Sequence, residues 1–169
     1  MTIETPIDAL ANPLANPLAN TLADASVRTA IVDRPIDCAA LLAEVAHPSA
    51  GATAVFVGTV RETNLGRAVT GIEYAAYTAM AEREVAAIAR DVAIQFAPLR
   101  LAAEHRVGTL GLGEISIVIA AAHAHRGPAM DAMRAVIEAV KARVPIWKRE
   151  HYADGSRDWV DPTNAILVP

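Results

Sequence analysis

Lysine is nearly absent from this 169-residue chain. Of its fifteen basic residues thirteen are arginines, and the only two lysines, Lys141 and Lys148, fall in one stretch, KARVPIWKRE. Cysteine is scarcer still. Cys38 stands alone and cannot close an internal disulfide, which predicts a reducing, cytoplasmic setting. No uncharged apolar run reaches the roughly eighteen residues a transmembrane helix needs. The N-terminus has no basic segment followed by a continuous apolar core, which argues against a secretory signal. An excess of positive charge is missing as well. With a formal charge of -4 and a pI of about 5.7, no overall field draws the chain to nucleic acid, so any anion site must be a local cluster.

What is present describes a folded chain. Hydrophobic residues make up 53% and charged residues 20%, and the length suits one domain with a small appended lobe. Residues 10–24 read LANPLANPLANTLAD, a four-residue repeat in which Pro13 and Pro17 remove backbone donors and interrupt any helix. The chain divides into a flexible repeat-containing tail, 1–26, and one compact domain, 27–169.

Within that domain, 28–33 suits a short strand and 36–47 a helix with Asp37 near its start. GATAVFVGTVR, 51–61, is rich in β-branched residues and reads as a buried strand, followed by a loop over 62–68. A strand at 69–77 precedes a helix at 79–96 that Thr78 is placed to cap. Strands at 100–107 and 114–122 are joined by the glycine-rich GTLGLG turn. Gly127 and Pro128 open a helix that runs to Val144, Pro145 stops it, and 147–160 forms short extended segments around an Asp154–Gly155 turn. This order is α+β. The long apolar strands predict a sheet covered on both faces or closed by a partner chain.

Four groups of residues can carry chemistry. His123, His125 and Arg126 stand at a strand end just before a helix, where an imidazole, a guanidinium and free N–H groups make an anion site. A surface strand end is the plain alternative, and a metal reading of the His-x-His pair lacks a third ligand at any telling spacing. Arg61 closes the 51–61 strand and suits phosphate recognition, or is an ordinary strand-end charge. Lys141 falls in the last turn of a helix, where any cation gains from the helix dipole. Lys148 follows Ile146 and Trp147, which can desolvate its stem. A lysine near other cations can lose its proton near neutral pH and act as a base or nucleophile, which arginine cannot do. Cys38 lies in an apolar helical pattern with no cation nearby and reads as an inert thiol.

Five blocks then line up in order: FVGTVRETNLG, IEYAAYTAMAE, EHRVGTLGLGE, AHRGPAM and VKARVPIWKRE. Together they resemble the MoaE family, the large catalytic subunits of molybdopterin synthase, from about Arg28 to Val160. The resemblance implies an α/β hammerhead with a small additional antiparallel sheet. It implies a sulfurtransferase that converts cyclic pyranopterin monophosphate into molybdopterin by installing a dithiolene, with no metal or other cofactor. The sulfur donor would be the C-terminal Gly-Gly thiocarboxylate of a small ubiquitin-like, MoaD-like subunit. The assembly would be a homodimer within a heterotetramer, without nucleic acid or membrane. Matched by motif, Arg61, His125, Arg126, Lys141, Lys148, Arg149 and Glu150 would bind substrate, and Lys141, Lys148 and His125 would move protons. A sulfur donor in trans agrees with an inert Cys38. Two positions depart from the family pattern, Met130 where an aromatic is common and Ala75 where an acid is common. The alternative reading is a non-catalytic duplicate that binds a phosphorylated pterin or only the small subunit.

Overall fold

The computed structural model describes residues 26–160. The repeat tail and the last nine residues lie outside the described residues, so the expectation for the tail falls there. Twelve elements follow in order: β1 (Ser26–Val32), α1 (Cys38–Val45), β2 (Ala52–Thr59), β3 (Thr63–Asn64), β4 (Arg67–Ala76), α2 (Thr78–Gln95), β5 (Arg100–Arg106), β6 (Gly108–Gly111), β7 (Ile115–His123), α3 (Arg126–Arg143), β8 (Ile146–Tyr152) and β9 (Arg157–Val160).

The first sheet runs β1-β5-β7-β2. Only β1 and β5 pair in parallel; the other neighbours are antiparallel. Its central strand β7 reads ISIVIAAAH and is buried from Ser116 to Ala122. The strand period of two explains why this run has no polar side. Ile117, Ile119 and Ala121 pack with α2 and α3, while Val118, Ala120 and Ala122 pack under α1. Both faces are thus covered within one chain. Alanines at 102, 103 and 120–122 let the helices sit close to the strands.

The second sheet is antiparallel, ordered β3-β4-β8-β9, with β6 also pairing with β4. Its inner face buries Val69, Ile72, Leu110 and Tyr152 together with Val60. Gly71 is required by the β4–β6 approach, because a Cβ there would lie 2.9 Å from the Leu110 carbonyl oxygen. The molecule is α+β with three helices and two sheets among the described residues, and it is the hammerhead with its additional antiparallel sheet.

Local readings differ from the structure at three places. Asp37 caps α1 as expected, its carboxylate accepting from the Ala40 N–H at 3.1 Å. Thr78 does not cap α2. Tyr77 occupies the N-cap without a side-chain bond, and Thr78 is already helical. The GTLGLG segment is more than a turn: β6 uses it to pair with β4. The 62–68 loop likewise contains the two-residue strand β3, whose residues pair with Arg67 and Ala68 across a tight turn.

Candidate active site

A cavity of about 430 Å³ opens where the α2/α3 face of the first sheet meets the inner face of the second. The C-terminal half of α3 forms its third wall through Ile137, Val140 and Lys141. The far wall is apolar, with Phe56, Ile72, Ile117 and Val144. Its charged members are Arg61, Lys141, Lys148 and Glu150. Three cations against one carboxylate leave two positive charges in excess, in a chain whose formal net charge is -4.

Local sequence explains how the lysines meet. Pro145 disfavours helix at the residue before it, and Val144 is extended at φ -77, ψ 128. The chain turns there from α3 into β8. Lys141 stays on the last turn of the helix, and strand alternation sends Ile146, Lys148 and Glu150 inward. Trp147 and Arg149 consequently face outward. Lys141 has no hydrogen-bond or ion-pair partner among the described residues. The Lys148 ammonium donates to Glu150 Oε1 at 3.1 Å, with 17% of its side chain exposed.

Glu150 is the buried centre of a network. Its Oε2 accepts from Asn64 Nδ2 at 2.8 Å and from the Tyr152 hydroxyl at 2.8 Å. Burial by itself would raise its carboxyl, but the donors Tyr152, Asn64 and Lys148 together hold it below the usual glutamate range. Asn64 Oδ1 in turn accepts from Arg61 Nη2 at 2.5 Å. Across the cavity, burial pushes His105 down to about 4, so its imidazole is neutral at pH 7. The ring is fixed by a 2.9 Å bond between Nδ1 and the Arg106 carbonyl and by an edge contact with Tyr74, centroids 5.2 Å apart. Burial raises the Tyr74 phenol, whose hydroxyl bonds Ser116. His105 is therefore a hydrogen-bonding group for a ligand, not a cation.

Of the residues singled out by sequence, the structure brings Arg61, Lys141, Lys148 and Glu150 to one cavity. It does not bring Arg149 there. One residue beyond Lys148, Arg149 points to the opposite face of β8, where it pairs with Glu73 and lies over Trp159, its guanidinium carbon 5.2 Å from the ring. His125 and Arg126 are also elsewhere. They sit exposed at the N-terminus of α3, and fifteen residues of helix, roughly 22 Å, separate Arg126 from Lys141. Sequence reasoning missed Asn64, His105, Tyr74 and Ser116. Period-two alternation could have paired His105 with Ala103 and Leu101 on one face, but no local signal marks Asn64. Cys38 is free; it is the first residue of α1 and packs against the cluster between that helix and the first sheet, away from the cavity. Among the described residues no three His, Cys, Asp or Glu side chains converge as a metal site would require. No helix among them is long and apolar enough to cross a membrane.

Comparison with known proteins bears directly on this site. The family model described as MoaE protein matches residues 31–143. The molybdopterin synthase catalytic subunit of Halalkalibacterium halodurans is 40% identical over 135 residues, covering 80% of this chain and 86% of that protein. The molybdopterin synthase catalytic subunit of Oryza sativa subsp. indica is 45% identical over 133 residues, covering 76% and 69%. The crystal structure of molybdopterin synthase from Staphylococcus aureus matches with a TM-score of 0.74 at 34% identity, over 78% of this chain and 95% of that one.

Proposed function

The chain belongs to the MoaE family, and from that premise we infer that it is the catalytic subunit of a molybdopterin synthase, acting in molybdenum cofactor biosynthesis. We propose that it is a sulfurtransferase, moving sulfur from the C-terminal Gly-Gly thiocarboxylate of a MoaD-like subunit onto cyclic pyranopterin monophosphate. The observation that carries this reading is the convergence of both lysines with Arg61 in one cavity where, among the described residues, Glu150 is the single carboxylate. Substrate phosphate and donor tail are both anions. A site with two excess positive charges holds them close together despite their repulsion. Each incoming sulfur displaces an oxygen that must leave with a proton. Lysine can carry that proton, and arginine cannot. The apolar wall and the neutral His105 suit the uncharged ring portion of the substrate.

His125 and Arg126 reach such a substrate only from a second copy of the chain. Among the described residues strand β2 is an edge of the first sheet, paired on one side with β7. Its Ala52 end lies beside His123, and its Gly58–Thr59 end lines the cavity. Pairing two copies antiparallel along β2 would set the second copy's His125 and Arg126 at the mouth of this cavity. The proposed assembly is such a homodimer, with one small subunit at each end, in the cytoplasm.

Complementation tests both statements. Lys141→Ala and Arg126→Ala subunits, each supplied with thiocarboxylated small subunit and precursor, should form little molybdopterin. Unfolded and reassembled together, about half the dimers are mixed and each holds one intact site, so activity should return to about a quarter of wild type. No recovery removes the shared site. No product from the wild type, beside a working control enzyme, removes the reaction.

A further inference from the structure

We propose that Asn64 is a positioning residue that joins the phosphate-binding arginine of the cavity to its lysine, gripping Arg61 with its carbonyl and Glu150 with its amide. The proposal rests on the reaction assigned above. Three observations carry it.

Asn64 is buried, and both ends of its side chain are engaged, Oδ1 by Arg61 at 2.5 Å and Nδ2 by Glu150 at 2.8 Å. The chemistry fixes its orientation. Turned over, its NH₂ would face a guanidinium and its oxygen a carboxylate, both repulsive. Glu150 holds Lys148 with its other oxygen, so a continuous path of hydrogen bonds runs Arg61–Asn64–Glu150–Lys148. Finally, the backbone is committed to this placement. Asn64 and Arg67 face each other across a two-residue turn in which Leu65 and Gly66 both have positive φ, 48° and 77°. The same turn sets Arg67 over the Tyr152 ring at 3.4 Å, and the Tyr152 hydroxyl is the third donor to Glu150. One hairpin therefore fixes two of the three partners of Glu150.

Two substitutions separate the halves of the grip. Asn64→Ala removes both. Asn64→Asp keeps the acceptor for Arg61 but replaces the amide donor with a second carboxylate against Glu150. With thiocarboxylated small subunit and precursor, Asn64→Ala should raise KM and lower kcat, kcat by roughly tenfold to a hundredfold. Asn64→Asp should keep KM near wild type and lower kcat alone. A purely structural role would lower Tm in both variants without this split.

A second measurement does not depend on turnover. The groups bonded to Glu150 are Lys148 and Tyr152 on its own strand and Asn64 from β3, and Tyr74 from β4, Arg61 from the β2–β3 connection and Lys141 from α3 line the same cavity. Removing the Asn64 amide takes away one donor, so the Glu150 carboxyl should titrate at higher pH in Asn64→Ala, read by carbon NMR of the free protein. The acid limb of kcat against pH should move the same way. An unchanged Glu150 titration, or KM and kcat both near wild type in a folded Asn64→Ala, overturns the proposal. If the wild type forms no molybdopterin, the assigned reaction falls, while the titration still decides whether Asn64 holds Glu150.

Discussion

Glu104 and Glu150 are both buried, with 1% and 3% of their side chains exposed, yet their partners differ in kind. Glu104 is held by two guanidiniums: Arg28 at 2.9 Å, and Arg34 through two bonds at 2.9 and 3.2 Å. Glu150 is held by an ammonium, an amide and a phenol. In both cases burial works against the ionised carboxyl, and the donors outweigh it and keep it below the ordinary range. The difference lies in what the partners can do next. Guanidiniums keep their protons at any working pH, so the Glu104 cluster is a fixed clasp between β1, the β1–α1 connection and β5. An ammonium beside a cavity can exchange its proton. Among the described residues arginine supplies this clasp, and both lysines line the cavity.

The sharpest way to break this comparison is to exchange the cation types. Lys148→Arg preserves the charge beside Glu150 but replaces an ammonium with a guanidinium, which does not give up its proton at working pH. Molybdopterin formation should fall by about 10²–10⁴ with Tm within a few degrees of wild type. Arg34→Lys at the Glu104 clasp should leave turnover unchanged. A Lys148→Arg variant with near-normal kcat would mean that the lysine supplies only positive charge.

Next in size is the clasp itself. Glu104→Gln removes the charge that two arginines share and leaves their donors partly unmet. Stability should drop by about 1–3 kcal/mol, read as a lower urea midpoint, with activity per folded molecule intact. The pH dependence has a definite sign. The Glu104 carboxyl is held low in the folded state, so the unfolded chain takes up its proton first on acidification. The stabilisation is complete well above the unfolded glutamate value near ~4.3 and is lost as pH falls through and below it. The wild-type and Glu104→Gln stability curves should therefore converge in acid. Parallel curves down to low pH would show that the ionised carboxylate is not what stabilises the clasp.

The same comparison shows what a sequence can disclose. Both lysines were legible because the chain uses lysine nowhere else, and Pro145 between them marks the corner that lets a helix end and a strand share a cavity. The strands of the first sheet were legible from their β-branched runs. Arg149 was misplaced by motif reading, because adjacent letters in a strand face opposite sides. The same rule separates Glu104, in the clasp, from His105, in the cavity. His125 and Arg126 read as neighbours of the lysines only when the length of α3 is ignored. Asn64 could not be found locally: its partner Glu150 is 86 positions away, and the strand that carries it is two residues long. The capping position of Thr78 was lost for a smaller reason, the helix starting one residue earlier than its polar side chain implied.

The smallest expected effect concerns how the two glutamates are supplied with partners. Neither arginine of the Glu104 clasp lies on left-handed backbone, whereas the amide that holds Glu150 sits beside Leu65, at φ 48° and 83% exposed. A left-handed backbone costs a leucine about 1 kcal/mol, and asparagine or glycine is the usual choice at the first position of such a turn. Leu65→Asn should therefore raise stability by a few tenths to about 1 kcal/mol, seen as a small upward shift in Tm. If the leucine serves only to complete the turn, Asn64 keeps its grip on Arg61 and Glu150, and turnover with the small subunit stays at the wild-type level. A stabilised variant with reduced turnover would mean that the exposed side chain itself meets the substrate or the small subunit. The strain in the hairpin would then belong to recognition, and the Glu150 side of the comparison would extend beyond the cavity to its rim.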